Sequence, residues 1–120
     1  MYATYDKWPE IAQESWEFTI EPIQFKGINH IVFAGMGGSG TIGDLFNAIF
    51  SKTNVHVTMI KGYVLPKTLN ANTLVICTSV SGNTDETLSI LQQVQNTNCK
   101  KIAISSGGKI EQFCNENSIT

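Results

Sequence analysis

Short apolar runs, separated by amphipathic stretches, constrain this chain more than any other feature of it. INHIVFA, NVHVTMI, TLVICTS and KKIAISS are nearly continuous in Val, Ile and other apolar residues rather than alternating with polar ones. Strands buried on both faces read in this way, whereas a half-exposed strand alternates. DLFNAIFSK, DETLSILQQVQ and KIEQFCNEN follow the first, third and fourth runs with helical spacing. Strand followed by helix, repeated, specifies a parallel sheet with helices laid over it. The link KGYVLPKTLNAN, between the second and third runs, carries no helical pattern. The expected fold is therefore α/β: an open, Rossmann-like parallel sheet of four to five strands with helices on both faces. At 120 residues the chain fits one such domain.

Ahead of the first run, Trp8, Ile11, Ala12, Ser15 and Trp16 recur at helical spacing, with Pro9 suited to a first turn and Pro22 to an exit. This predicts a lead-in helix, from roughly Tyr5 to Gln24, whose tryptophans pack on the body of the domain. Residues 1–27 are read as that lead-in and residues 28–120 as the domain proper.

The charge pattern narrows the partners. Net charge is −2, and all eight basic residues are lysines, with no arginine. A nucleic-acid surface normally clusters Lys and Arg, so none is expected. No apolar run approaches the roughly 20 residues a membrane span requires, and the polar N-terminus has no signal-peptide pattern. With 42% hydrophobic and 15% charged residues, the composition is that of a soluble globular protein, and a cytoplasmic one is expected. Cys77, Cys99 and Cys114 lack the close pairing of a zinc or redox motif and read as reduced, partly buried thiols. His30 and His56 stand in strand-like runs, where a hydrogen-bonded structural role is favoured over a ligand role. Neither a metal nor a cofactor is expected.

Ligands of open parallel sheets bind beyond the carboxyl ends of the strands, where the strand order reverses. Two strands end there in unusual loops. The first, GMGGSG, places four glycines within Gly35–Gly40. Gly35, Gly37 and Gly40 satisfy G-x-G-x-x-G, but the acid that a dinucleotide site wants after the second strand is absent, and Lys61 stands there instead. A nucleotide P-loop needs Gly-Lys-Ser/Thr, and here Gly40 is followed directly by Thr41. A small anion at a helix start remains, level with a tight turn that binds nothing. The second loop, TSVSGNTDET, supplies Thr78, Ser79, Ser81, Thr84 and Thr87. Two such loops at neighbouring strand ends would surround one phosphate with two helix N-termini and several hydroxyls.

GMGGSGTIGDL, then SVSGNTDETL, then IAISSGGKI together resemble the sugar isomerase (SIS) domain, and the group of bifunctional phosphoglucose/phosphomannose isomerases in particular. The resemblance, which extends to the opening YDKWPE, implies a five-stranded SIS-type sheet that holds the phosphate of a sugar phosphate. Carried over by position, it puts phosphate contacts on Gly38 and Ser39 in the first loop and on Ser79, Ser81 and Thr84 in the second. Ser105 and Ser106 match no contact, and Val80 stands where the family often has an aromatic residue. The group's phosphate-contacting arginine, catalytic glutamate, histidine and lysine all match positions beyond Thr120, so no catalytic residue is expected in this chain. Glu86, a carboxylate near the loops, reads as a helix-start acid. The domain is expected to be incomplete at its C-terminus and to pair with a second copy or a second SIS domain. The implied activity interconverts glucose 6-phosphate (and mannose 6-phosphate) with fructose 6-phosphate. The alternative is a non-catalytic module that senses a sugar phosphate.

Overall fold

The computed structural model describes residues 2–120, with the side chain of Tyr2 excepted. Its elements are α1 (Tyr2–Tyr5), α2 (Trp8–Glu17), β1 (His30–Gly35), α3 (Gly37–Phe50), β2 (His56–Ile60), β3 (Thr73–Ser79), α4 (Asp85–Gln95), β4 (Lys100–Ser105) and α5 (Gly108–Asn117). The four strands form one sheet in the order β2-β1-β3-β4, and every pairing is parallel. The strand order reverses between β1 and β3, where Gly35 lies opposite Thr78.

The uninterrupted apolar runs are explained by what covers each face. All residues of β1 and β3 are buried. On one face Val32, Ala34, Val75 and Cys77 pack with Ile90, Leu91 and Val94 of α4 and with Ile110 and Cys114 of α5. Leu65 and Leu69, from the helix-free link after β2, join that cluster. On the other face Ile31, Phe33, Leu74 and Ile76 pack with Phe46 and Phe50 of α3. One helix thus covers a face that two helices cover opposite. Over the uncovered part, Ile42 and Phe46 of α3, Ile102 and Ile104 of β4, and Ile23 and Phe25 line an apolar groove. Beyond β4, at the sheet edge, the Ala103 N–H donates to the Thr120 carbonyl at 2.8 Å.

The lead-in departs from expectation. Its helix α2 stops at Glu17, and Phe18 is already extended, with φ −68° and ψ 119°. Aromatic and β-branched residues at Phe18–Ile20 weaken the helix, and Pro22 disfavours helical backbone at the residue before it. No residue of α2 is buried, and Trp8 and Trp16 are 57% and 90% exposed. Helical spacing identified the stripe correctly but could not say what it meets. The extended stretch that follows brings Ile23 and Phe25 to the sheet in its place.

His30 is buried, with Thr58 Oγ1 2.8 Å from Nε2 and Thr73 Oγ1 3.4 Å from Nδ1. Burial first, and the neighbouring His56 second, hold its pKa below the ordinary histidine value. Both histidines begin strands and so lie at the edge opposite the loops. All three cysteines are buried and unpaired, and burial pushes the Cys77 thiol up to about 12.

Candidate anion site at the carboxyl ends of β1 and β3

Each of the two loops leads into a helix whose N-terminus is uncapped. Helix α3 opens at Gly37 after Met36, which has extended backbone and no capping side chain. The N–H groups of a first turn have no partner within the helix. At α4 the N-cap position is held by Thr84, a residue type that commonly caps. Its hydroxyl does not cap. Thr84 Oγ1 lies instead 2.8 Å from Ser79 Oγ, which also accepts the Gly82 N–H at 3.1 Å. The hydroxyl loop is thereby stapled to the strand that precedes it, and the first-turn N–H groups of α4 stay open.

Glycine placement separates turn geometry from ligand approach. A Cβ on Gly35 would come within 3.0 Å of the Ser39 backbone, and one on Gly40 within 2.8 Å of the Gly35 carbonyl. Those two glycines are explained by strand–helix packing alone. Gly37 has φ +52°, which only glycine adopts readily. Gly38 has neither reason: its φ is not positive, and a Cβ there meets nothing within 4 Å. The chain itself does not require glycine at 38, whereas an anion resting on the first turn of α3 does. A tight turn that binds nothing leaves Gly38 unexplained.

The five expected residues divide by position. Gly38 is exposed, and Ser39 is buried in the first turn of α3. Ser79 and Thr84 are joined by the staple. Ser81 is exposed, and its Oγ accepts the Asn83 N–H at 3.2 Å. Their strands are adjacent, so both loops stand at the reversal of strand order.

Two further hydroxyls of the second loop are not among the five contacts that the resemblance implies. Thr78, at the end of β3, and Thr87, in the first turn of α4, are buried, and neither has a hydrogen-bond partner. An orphaned buried hydroxyl is costly, and here two lie beside the loops. Tyr63 approaches from the link after β2, close enough to feel the charge of Glu86. The negative charge of Glu86 is the main cause of its raised pKa. Glu86 therefore stands as a first-turn acid beside a tyrosine, in keeping with its expected helix-start role.

A third loop buttresses the second. The Ser106 N–H donates to the Val80 carbonyl at 3.1 Å, and the Ser106 hydroxyl donates to the same oxygen. The Ile110 N–H donates to the Gly82 carbonyl at 2.9 Å, and the Lys109 N–H to Asn83 Oδ1 at 3.2 Å. Ser105 bonds only within its own turn, to Gly107.

This is an α/β fold in which two loops, each leading into a helix with no side-chain cap, meet where the strand order reverses. The SIS domain family matches residues 24–118, and the chain belongs to that family. A bifunctional phosphoglucose/phosphomannose isomerase from Caldicellulosiruptor bescii is 35% identical over 117 residues, covering 94% of this chain and 34% of the relative. A D-glucosamine-6-phosphate 4-epimerase from Sulfolobus acidocaldarius is 29% identical over 114 residues, covering 94% of this chain and 35% of the relative. The crystal structure of tagatose-6-phosphate ketose/aldose isomerase from Escherichia coli superimposes with a TM-score of 0.60 at 22% identity, covering 76% of this chain and 28% of that one. The chain thus spans about a third of the length of the curated relatives it matches.

Proposed function

We propose that this chain is the sugar-phosphate-binding part of an aldose–ketose isomerase that interconverts glucose 6-phosphate, and mannose 6-phosphate, with fructose 6-phosphate. The observation that carries this is the meeting of two uncapped helix N-termini at one strand-order reversal, with Gly38 left open to solvent. The phosphate rests on the N–H groups of Gly38 and Ser39, on the hydroxyls of Ser39 and Ser81, and on the one O–H that the Ser79–Thr84 pair leaves free. Charge-assisted hydrogen bonds of this kind are the strong ones, and several together hold a dianion without an arginine. Isomerisation then needs the sugar ring opened and a proton moved between adjacent carbons through an enediol. Gripping the phosphate, remote from those carbons, contributes orientation. The base that moves the proton is supplied from outside these 120 residues.

The proposal divides the chain into a lead-in, residues 1–27, and the SIS domain, residues 28–120, and places the protein in the cytoplasm, where three unpaired thiols stay reduced. Among the described residues no helix is long and apolar enough to cross a membrane. A coupled glucose 6-phosphate isomerase assay, run beside phosphate calorimetry on the same sample, tests the division of labour. The expected result is binding without turnover. Turnover of about 1–1,000 per second would overturn the placement of the base. Absence of any phosphate binding would overturn the site.

The partner proposed for the isolated chain is a second copy of itself. Ile42, Leu45 and Ile49 form an exposed stripe along α3, continuous through Ile42 with the groove under Ile104, and Trp8, Trp16, Phe18 and Ile20 stand exposed on the lead-in. In a twofold pairing the same patch serves both copies, so one self-complementary apolar face is covered twice over. Sedimentation at micromolar concentration should show a dimer. A stable monomer would refute the pairing.

A further inference from the structure

The site described so far contains no cation of its own. Two helix N-termini together offer roughly one unit of positive charge, against about −1.5 to −2 for a phosphate monoester. Asp85 and Glu86, in the first turn of α4, add negative charge beside it. With no arginine in the sequence, a strongly basic side chain that these 120 residues themselves bring to the phosphate has to be a lysine.

Most lysines are placed elsewhere. Lys100 donates to the Lys26 carbonyl, and Lys101 to carbonyls at the end of α4. Both begin β4, at the edge away from the loops. At the loop edge stand Lys61, directly after β2, and Lys109, in the first turn of α5. Lys109 Nζ lies 3.9 Å from Asp85 Oδ1, out on α5. Lys61 is differently held. Strand β2 neighbours β1, so Lys61 emerges beside the glycine loop. Its Cε lies 3.2 Å from where a Cβ on Gly40 would be, so its stem runs along the first turn of α3. Its ammonium donates to Asp44 Oδ2 at 2.8 Å. Asp44 is four residues after Gly40 on the same helix, about one turn, or roughly 5.4 Å, beyond it.

The Lys61 and Asp44 side chains are 52% and 54% exposed, and a pair this exposed contributes little to stability. It can therefore exchange partners readily. A lysine stem is long and freely rotating, and a turn of helix is within its span. We propose that Lys61 is the cation of the phosphate site: it rests on Asp44 in the empty protein and swings to the bound phosphate, with Asp44 as its parking position. The proposal rests on the phosphate-site reading above. Lys61 escaped sequence analysis because its position was read only for the acid that a dinucleotide site would need there.

Calorimetric titration of the full chain with inorganic phosphate, at low and at near-physiological salt, tests the inference. Lys61→Gln should weaken binding about tenfold or more and flatten its salt dependence. Lys61→Arg should restore most of the affinity. Asp44→Asn, which frees the lysine, should leave binding unchanged or tighter, and Lys109→Gln should change it less than about twofold. The urea midpoint of Lys61→Gln should stay at the wild-type value, since the residue is exposed. If Lys61→Gln binds as wild type while Ser81→Ala binds weakly, the phosphate site stands and Lys61 has no part in it. Weakening by Lys109→Gln alone would assign the cation to α5 and overturn the inference. If the wild-type chain binds no phosphate, the site and the inference fall together.

Discussion

Helices α3, α4 and α5 begin in the same way, yet α3 and α4 end up in the opposite condition to α5. Each follows a strand of one sheet, each begins beside glycine or hydroxyl residues, and none is capped by a side chain. At α5 the chain itself fills the vacancy, since the Gly82 carbonyl and Asn83 Oδ1 accept two of its first-turn N–H groups. At α3 and α4 nothing of the kind occurs, and the one residue placed to cap α4 turns its hydroxyl to Ser79 instead. A helix N-terminus filled by the chain is scaffold, and one left open is a candidate site. The filled terminus also positions the open one, because the loop it grips is the loop that carries Ser81 and Thr84.

Breaking the filled terminus should have the largest effect. Gly82 has φ +68°, and a Cβ there would sit 1.6 Å from the Gly107 carbonyl oxygen. Gly82→Ala therefore combines backbone strain with a clash against backbone that cannot rotate away. We expect a loss above about 4 kcal/mol, in the range reserved for exceptional single changes. Urea denaturation measures it. A loss below about 1 kcal/mol would mean that the β4–α5 loop is not docked as described.

The open terminus should respond to the same substitution with the opposite sign. Gly38 lies in α3 without a positive φ and with open space above it, so Gly38→Ala should stabilise the chain by up to about 1 kcal/mol. The added methyl group stands where the phosphate rests, so affinity should fall at least roughly tenfold. One variant then gives a higher urea midpoint and a weaker phosphate titration. If stability and binding rise together, the anion does not rest on α3.

How much of this was legible beforehand follows from what periodicity encodes. The uninterrupted runs revealed a parallel sheet because burial on both faces leaves no room for polar alternation. The helix-free link after β2 showed itself by its lack of spacing. The two loops were visible as composition at strand ends, while Gly38, Ser39, Ser79, Ser81 and Thr84 within them were picked out by the family resemblance, and the structure brings those loops together. What stayed hidden depended on distant partners. The tryptophan stripe of α2 has a period but no mate. Lys61 matters only through Gly40 and Asp44, and Ser106 only through Val80, residues brought near by strand order and not by sequence. The staple between Ser79 and Thr84 was equally invisible, because threonine at a helix start ordinarily reads as a cap.

The smallest effects should come from single hydroxyls, and they carry the comparison to the level of atoms. Ser39→Ala and Ser81→Ala each remove one hydroxyl while the backbone N–H groups remain, so phosphate binding should weaken and not vanish. The expected loss is about 1.5–3 kcal/mol for each, roughly tenfold to a hundredfold in affinity. Thr84→Ala should match them in binding and also lower stability modestly, since Ser79 loses its 2.8 Å partner. Ser105→Ala is the control, because its hydroxyl bonds only within its own turn, and both readouts should stay near wild type. Ser106 cannot serve as a second control, since its hydroxyl holds the Val80 carbonyl inside the hydroxyl loop. Calorimetry with inorganic phosphate and with fructose 6-phosphate reads the whole series. If Ser105→Ala weakens binding while Ser39→Ala and Ser81→Ala do not, the anion sits at the filled terminus, and the assignment of open and filled ends is reversed.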